Sequence, residues 1–357
     1  MVLLANGFAL RGIIVTLVVA KAEGPCREMV AANISIVDLG TNRMVLALPR
    51  LMHHLRKAKP DVVLSALLTP NVLLLLSRVF LRMPMRVVIS ERSTISIALA
   101  HGGLIRKCLF PLLARWLYPK ADAIVAVSGG VARDLSRYVG LSHASIHTIY
   151  NPVYSEELIQ ASYDTVAHPW FQDKEMPVVL SAGRLHEAKA FDVLIEAFAL
   201  VRSRHPAKLI ILGEGPQRSR LENIIRSLGL EDQVQLPGFV DNPWKYMRQA
   251  NVFVLSSKWE GLPGALIEAM ACGTPVVATD CPSGPSEILE EGKWGRLVPV
   301  GDVTALRDAI IKAFEEQIHP EVAVRAKQFS LDAALDIYGS ILFPSITGAQ
   351  RCGRMSA

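Results

Sequence analysis

Two glutamates, Glu260 and Glu268, lie where a buried strand gives way to a helix. Residues 251–256 form an apolar run typical of a buried strand, and residues 265–271 have a helical pattern. Pro263 suits the first helical turn, where a missing N–H costs nothing. These patterns predict that Glu260 lies in the loop before the helix and Glu268 inside it, beside backbone amides that favour an anion.

This combination of groups suits a nucleotide sugar. Carboxylates accept hydrogen bonds from sugar and ribose hydroxyls, and the amides at a helix N-terminus neutralise phosphate. Spacing alone leaves an alternative, in which Glu260 caps the helix and Glu268 faces solvent, because carboxylates are common near helix starts.

Two cations, Arg184 and Lys189, follow the predicted strand 178–181. The carboxyl end of a strand is where α/β sheets bind ligands, and positive charge there would favour departure of a diphosphate. Solvated surface cations are the alternative. Nearby, residues 212–216 form a strand-to-helix turn with G-x-G but no third glycine, a weak dinucleotide signal.

Residues 256–289, SSKWEGLPGALIEAMACGTPVVATDCPSGPSEIL, closely resemble the E-x7-E signature of retaining glycosyltransferases of family 4. Residues 183–198, 212–216 and 237–240, and Asn151-Pro152, also resemble the family. The resemblance covers roughly residues 1–342. It implies the GT-B fold, an α/β architecture in which two Rossmann-like parallel-sheet domains face each other across a cleft.

The resemblance also implies roles for individual residues. Glu260 would hold sugar hydroxyls, Glu268 would hold the ribose, and Arg184 and Lys189 would neutralise the leaving diphosphate, with no metal or other cofactor required. Ala190 replaces a glycine common in the family, a change we expect to be tolerated. Further contacts to the donor are expected from Gly183, Gly215, Val240, Gly261, Leu262 and Pro263. Structural turns remain an alternative for the glycine-rich segments.

In the first half, Glu91 and Arg92 follow a predicted strand at residues 85–90. Many members of the family carry a histidine near Glu91 that faces the donor sugar. Either Glu91 or Arg92 could contact the substrate here, and the alternative is that the two side chains form an ion pair.

Charge is distributed unevenly along the 357 residues. Residues 1–150 hold 18 Lys and Arg against 7 Asp and Glu, a balance of +11, whereas the remainder has a balance of −6. A basic half predicts an anionic partner, either a membrane surface or a lipid diphosphate. Nucleic acid is disfavoured because no RNA-binding or helix-turn-helix motif is present. Residues 104–120, with Arg106, Lys107 and Arg115, could dock on a membrane or form a core helix with basic outer positions.

The cysteines and the hydropathy pattern indicate a compartment. The five cysteines form no C-x-x-C pair and show no metal-ligand spacing with histidines, which favours reduced thiols in the cytoplasm. No segment reads as a transmembrane helix or a convincing signal peptide. We therefore expect a cytoplasmic protein that could lie peripherally on the inner face of the membrane.

Helical and strand patterns alternate along the chain, which predicts parallel sheets covered by helices. The expected organisation is an acceptor-side domain at residues 1–155, a linker at 156–176, a nucleotide-sugar domain at 177–330, and a last segment at 331–357 whose helix, 331–342, returns to the first domain. The final residues are small and polar and are expected to be disordered.

The expected function is transfer of a hexosyl or N-acetylhexosaminyl group, with retention, from a nucleotide diphosphate sugar to a lipid-linked or glycan acceptor. Uridine is the expected base, and cell-surface polysaccharide or glycolipid assembly the expected process. Family members have a first strand and a Gly-rich loop before the helix in which Met1 falls, so we expect this chain to lack them. A truncated non-catalytic partner protein and a sugar-nucleotide epimerase are therefore alternatives. A nicotinamide oxidoreductase would need the full G-x-G-x-x-G motif.

Overall fold

A computed structural model of the chain describes residues 1–23, 27–41, 43–100, 104–172 and 176–344. The chain divides into two compact units, one made of residues 1–152 together with the chain from Leu331 onwards, and one made of Val153–Ser330. The tail predicted to be disordered, residues 344–357, lies outside the described residues except for Pro344. In the described part, no helix is both long and apolar enough to cross a membrane.

The first unit is α/β. Its helices and strands are α1 Val2–Leu10, β1 Thr16–Val19, β2 Ser35–Asp38, α2 Leu48–Ala58, β3 Val62–Ala66, α3 Leu68–Leu81, β4 Arg86–Glu91, α4 Ile95–Ala100, α5 Leu104–Leu117, β5 Ala123–Ala126, α6 Gly129–Val139, β6 Ile146–Thr148 and, at the end of the chain, α15 Leu331–Leu342.

Strands β3 to β6 form a parallel sheet in sequence order, and β1 pairs with β2 in a separate parallel ribbon. Strand β2 is not evident in the sequence, because most of its residues are exposed and its apolar signal is weak. The N-terminal and C-terminal helices pack together in the core of this unit through Leu4, Phe8, Leu335 and Tyr338. A Cβ on Gly7 would lie 2.5 Å from Leu335 Cδ1, so glycine permits this close helix contact.

The second unit is also α/β. Its elements are α7 Glu156–Ser162, β7 Val178–Ala182, α8 Phe191–Arg202, β8 Lys208–Leu212, α9 Arg218–Ser227, β9 Val234–Gly238, α10 Trp244–Gln249, β10 Val252–Leu255, α11 Gly264–Ala271, β11 Val276–Thr279, α12 Pro285–Ile288, β12 Arg296–Val298, α13 Val303–Glu315 and α14 Val322–Ala326.

The six strands of the second unit form one parallel sheet in the order β12-β11-β10-β7-β8-β9. Every residue of β7, β10 and β11 is buried, as expected for central strands that carry helices on both faces. The predicted linker at residues 156–176 differs from the structure, because the division falls after Pro152 and α7 belongs to the second unit.

Glu91, at the end of β4, is a buried carboxyl that belongs to the core of the first unit. It is 1% exposed, and its Oε1 accepts hydrogen bonds from Tyr118 Oη and, at 2.8 Å, from Asn71 Nδ2. Burial raises the pKa of Glu91 to about 7, although both hydrogen bonds oppose the shift. The carboxyl is therefore not available to a ligand, which corrects the expectation that Glu91 contacts the substrate.

We predict that Glu91 makes folding stability depend on pH. Its folded-state pKa is raised above the ordinary value of 4.5, so the unfolded chain releases this proton first as pH rises. The contribution of Glu91 to the free energy of unfolding is full below pH 4.5 and is lost as pH rises towards 7. In that range the free energy of unfolding falls with a slope approaching about 1.4 kcal/mol per pH unit. Urea unfolding of wild type and Glu91→Gln between pH 4.5 and 8 measures this difference.

Glu91→Gln should lose the pH dependence of the free energy of unfolding that Glu91 causes. The variant should be more stable than wild type at pH 8, because glutamine stays neutral. The exposed Glu187→Gln serves as the matched control and should follow the wild-type profile. Parallel profiles for wild type and Glu91→Gln would contradict the assignment.

Candidate active site

The order of strands in the second unit reverses between β7 and β10. From β7 the chain runs outwards through β8 and β9, then returns to the other side of β7 and runs outwards through β10, β11 and β12. In open α/β sheets, ligands bind in the crevice that such a reversal leaves at the carboxyl ends of the strands. The loops that follow β7 and β10 therefore form the candidate site.

An ion pair joins these two loops. Lys189 Nζ, after β7, donates to Glu260 Oε1, after β10, at 2.6 Å. The same oxygen accepts from Ser257 Oγ at 2.6 Å, and Thr279 Oγ1 donates to the Ser257 carbonyl at 2.6 Å. Both bonds to Glu260 fall on Oε1, and Oε2 has no partner among the described residues. One carboxylate oxygen is thus held by the protein, and the other keeps its capacity to accept a hydrogen bond on a side chain that is 12% exposed.

Hydrogen bonds to two backbone carbonyls hold the two loops in this arrangement. Ser256 Oγ donates to the Lys189 carbonyl and the Lys258 N–H donates to the Ala188 carbonyl, each at 2.7 Å. Ala190, which follows Lys189, has a φ of +46°, a left-handed conformation that favours glycine. This explains in physical terms why a glycine would fit the position.

Arg184 lies on the same loop as Lys189 but is exposed. It forms no ion pair with any residue in the described part of the chain, so its charge is available to an anion. The structure thus brings Lys189 and Glu260 into direct contact and leaves Arg184 open to solvent.

The glycine-rich turn after β8 packs closely against the loop after β7. A Cβ on Gly213 would lie 2.1 Å from the Gly183 carbonyl oxygen, and one on Gly215 would lie 2.4 Å from the Leu185 carbonyl oxygen. Contact between the two loops therefore requires glycine at both positions, whether or not these residues also contact a nucleotide. Val240, half-buried, follows the end of β9 and lies in the next turn along the same edge of the sheet.

Helix α11 begins at Gly264, with Pro263 at the N-cap and no side-chain cap on its first turn. The segment before it is held from the side: Ser283 Oγ donates to the Gly261 carbonyl at 3.0 Å, and a Cβ on Gly284 would lie 2.4 Å from Pro263 Cδ. Ser283 has a φ of +106°, which is strained for a residue other than glycine. Leu262, within this segment, is buried.

Glu268 lies on α11, half-buried, and faces Trp244 of α10. Burial raises the pKa of Glu268, and the indole N–H of Trp244 partly opposes this shift. Trp244 Nε1 is itself buried and forms no well-aligned hydrogen bond among the described residues. The structure therefore excludes the alternative in which Glu268 is a fully solvated surface residue.

In the first unit, Glu91 and Arg92 do not form the ion pair that the sequence left open. Glu91 turns towards Tyr118 and Asn71, whereas Arg92 Nη2 donates to Asn151 Oδ1 at 2.6 Å. Glu91 is the last residue of β4 and Arg92 already lies beyond the strand, so the two side chains meet different neighbours.

Sequence reasoning missed the neutral residues of the site. Ser257 and Thr279 are fully buried and Trp244 is half-buried. Ser257 contacts Glu260, Thr279 holds the Ser257 carbonyl, and Trp244 faces Glu268. The sequence signal for the first two was their position at strand ends, since Ser257 follows β10 and Thr279 ends β11.

Two chemistries lack support among the described residues. No group of three or more His, Cys, Asp or Glu could hold a metal ion there. Cys272 and Cys281 are free but buried, and burial raises the pKa of each thiol to about 12. Neither thiol is therefore activated as a nucleophile.

Comparison with known families assigns both halves of the chain. Residues 1–157 match the sequence model described as Glycosyltransferase Family 4, and residues 165–328 match Glycosyl transferases group 1. The chain belongs to glycosyltransferase family 4. The resemblance found in the sequence is thus confirmed.

Curated relatives cover the chain to different extents. The N-acetylgalactosamine-N,N'-diacetylbacillosaminyl-diphospho-undecaprenol 4-alpha-N-acetylgalactosaminyltransferase of Campylobacter jejuni is 35% identical over 69% of this chain and 65% of its own length. The lipopolysaccharide core biosynthesis glycosyltransferase LpsE of Rhizobium meliloti is 27% identical over 95% of this chain and 93% of its own length. The chain spans 65% or less of the first four curated relatives that it matches.

Solved structures confirm the fold. Alr3699/HepE of Anabaena, determined in complex with UDP-glucose, superimposes with a TM-score of 0.76 over 96% of this chain and 94% of its own, at 19% identity. Neighbours of this kind are GT-B glycosyltransferases, so the GT-B fold predicted from the sequence is confirmed.

We predict that Ser257→Ala destabilises the second unit. The variant removes a buried donor to a carboxylate, a bond that contributes about 1.5–3 kcal/mol. Urea unfolding measures the loss. Ser203→Ala is the control, because its hydroxyl donates to the Leu200 carbonyl at an exposed position. Equal stability of the two variants would show that Ser257 does not hold Glu260.

Proposed function

We propose that this chain transfers a sugar, with retention of configuration, from a nucleoside diphosphate sugar to a lipid-linked or glycan acceptor. The observation that carries the proposal is the Lys189–Glu260 pair at the reversal of strand order, beside the uncapped start of α11. It supplies a cation and backbone amides for a diphosphate and a carboxylate oxygen for a sugar hydroxyl.

Charge complementarity explains how the bond to the sugar would break. As the bond between the anomeric carbon and the diphosphate oxygen lengthens, negative charge grows on the leaving group. Lys189, the exposed Arg184 and the N–H groups of α11 stabilise that charge. Glu260 Oε2 accepts a sugar hydroxyl while Lys189 and Ser257 hold Oε1, and Glu268 accepts from the ribose.

The proton balance needs no further protein base. The acceptor hydroxyl attacks the anomeric carbon from the face that the diphosphate leaves, and its proton passes to a phosphate oxygen of the leaving group. The products are a glycosylated acceptor and a nucleoside diphosphate. This route retains configuration without the carboxylate nucleophile that retaining hydrolases use.

The relatives support the choice of substrates. The printed name of the Campylobacter relative includes a diphospho-undecaprenol acceptor, LpsE is named for lipopolysaccharide core biosynthesis, and Alr3699/HepE was crystallised with UDP-glucose. We therefore propose a UDP-sugar donor and an acceptor in cell-surface polysaccharide or lipopolysaccharide assembly.

We predict that UDP-sugar is consumed only when an acceptor is present. The assay measures UDP release from UDP-galactose, UDP-glucose and UDP-N-acetylgalactosamine, with and without polyprenyl diphosphate glycans. Lys189→Ala should lower turnover at saturating donor at least about tenfold, because the lost cation acts on charge that grows in the transition state. Lys312→Ala, an exposed lysine of the same unit, is the control.

Calorimetric titration with UDP separates the alternatives. Glu268→Ala should weaken UDP binding about 10–100-fold through the lost hydrogen bonds to the ribose. Conversion of the donor to an epimer without acceptor would support the epimerase instead, and UDP binding without turnover would support a non-catalytic protein.

We also propose that α5 docks on an anionic membrane surface. Leu112 and Trp116 are 65% and 53% exposed, Arg115 is exposed, and Lys120 Nζ lies 4.9 Å from the centroid of the Trp116 ring. Exposed apolar side chains beside cations suit a headgroup interface. The side chains of residues 104–109, which include Arg106 and Lys107, lie outside the described part of the chain.

Vesicle co-sedimentation tests this surface. We predict binding to phosphatidylglycerol vesicles that falls as salt rises, since each cation contributes about 1 kcal/mol near an anionic surface. Arg115→Glu with Lys120→Glu should abolish binding, whereas the same change at the exposed Arg133 and Arg137 of α6 should have a smaller effect. Equal binding to phosphatidylcholine vesicles would contradict the proposal.

A further inference from the structure

Arg92 is a partly buried cation without a counter-charge. Its Nη2 donates to Asn151 Oδ1 at 2.6 Å, and its Nη1 lies 3.4 Å from Met1 Sδ, a weak acceptor. It takes part in no ion pair with a residue that the structure describes. A guanidinium carries five N–H donors, so one oxygen leaves most of them unused.

Arg325 shows how this chain satisfies an arginine with a structural role. Arg325 is 5% exposed. Its donors reach the carbonyls of Ile288 at 3.0 Å and Glu287 at 2.9 Å, the Gln328 side chain, and Glu290 Oε1 at 3.1 Å. Arg92, by contrast, has one oxygen and one sulfur as acceptors and no carboxylate.

The groups around Arg92 do not supply the missing negative charge. The adjacent Glu91 does not pair with Arg92, because its carboxyl is buried and accepts from Tyr118 and Asn71. The phenol of Tyr338 also lies near the guanidinium, and burial raises the pKa of that phenol, which keeps it neutral. An unpaired charge that is partly withdrawn from water costs stability, and a bound anion would offset that cost.

Position supports the same conclusion. Arg92 directly follows β4, at the carboxyl end of a parallel strand, where α/β sheets bind ligands. The part of the sequence in which it lies is basic, with a balance of +11 over residues 1–150. Asn151 holds one Nη group, which fixes the plane of the guanidinium and leaves its other donors for a planar or tetrahedral oxyanion.

We infer that Arg92, oriented by Asn151, binds a phosphate group of the acceptor. The inference rests on the proposed glycosyltransferase function and adds to it an acceptor of defined chemistry, one that carries a phosphate or diphosphate. Arg92 is then the residue that separates phosphorylated acceptors from neutral glycans.

Calorimetric titration of the full chain tests the site. UDP is added to saturation first, so that the candidate donor site is occupied, and geranyl diphosphate, inorganic pyrophosphate or geraniol is then titrated. We expect the two diphosphates to bind and geraniol not to bind. Tighter binding of geranyl diphosphate indicates a lipid-borne phosphate, and equal binding indicates that the phosphate group is sufficient.

Arg92→Gln should weaken binding of both diphosphates about 10–100-fold, the range expected for lost charged hydrogen bonds. Arg92→Lys should bind with intermediate affinity, because lysine keeps the charge but lacks the planar set of N–H donors of a guanidinium. Arg137→Gln, an exposed arginine of the same unit, is the control and should bind like wild type. Wild-type affinity in Arg92→Gln would overturn the inference.

Two further variants distinguish loss of binding from loss of folding. Asn151→Asp leaves Arg92 in place but supplies a counter-charge, so it should abolish diphosphate binding without lowering the urea midpoint of unfolding. Arg92→Gln should unfold at no lower urea concentration than wild type, whereas Arg325→Gln should unfold earlier. Retained binding in Asn151→Asp, or a midpoint for Arg92→Gln as low as that for Arg325→Gln, would contradict a binding role.

Binding of UDP and binding of the diphosphates test the proposed function and the Arg92 site separately. If wild type does not bind UDP, the proposed donor site is wrong whatever Arg92 does. If UDP binds and neither diphosphate does, only the phosphate site on the acceptor side is overturned.

Discussion

The ion pair between Lys189 and Glu260 is the interaction on which the candidate site depends. It exists because the chain reverses its direction across the sheet, which places the loop after β7 beside the loop after β10. Residues that lie far apart in sequence thereby share one carboxylate oxygen. Ser257 donates to the same oxygen of Glu260, and Thr279 holds the Ser257 carbonyl. The geometry of Glu260 is therefore set by buried neutral groups as well as by its charged partner.

The backbone around this pair is packed closely enough to limit its movement. Gly213 and Gly215 let the turn after β8 touch the loop after β7. On the other side, Gly284 and the strained Ser283 support the segment that leads into α11. Because a preorganised site loses little entropy when charge develops in it, such rigid loops suit the stabilisation of a leaving diphosphate.

Much of this was predictable from sequence. The buried strands β7 and β10 were predicted, because central parallel strands have unbroken apolar sequences. The loop position of Glu260 and the helical position of Glu268 also followed from the pattern. Other features depend on tertiary contacts that no local pattern encodes. The exposed strand β2 carries little apolar signal, and Ser257 carries no charge.

The orientation of side chains was the least predictable feature. Glu91 and Arg92 are neighbours of opposite charge, which suggested an ion pair or two substrate contacts. Glu91, at the end of β4, turns into the core towards Asn71 and Tyr118, and Arg92, beyond the strand, turns to Asn151 instead. Likewise, the G-x-G turn suggested contact with a nucleotide, whereas the structure shows that contact between two loops is already sufficient to require glycine there.

A crystal structure of the chain with UDP would show whether the donor binds at this edge of the sheet. We expect the diphosphate to lie between the loop after β7 and the start of α11, with Lys189 Nζ within hydrogen-bonding distance of a phosphate oxygen and the ribose hydroxyls on Glu268. Glu260 should remain held by Ser257. UDP bound elsewhere on the molecule, or at this edge with no contact to Lys189 or Glu268, would contradict the proposed donor site.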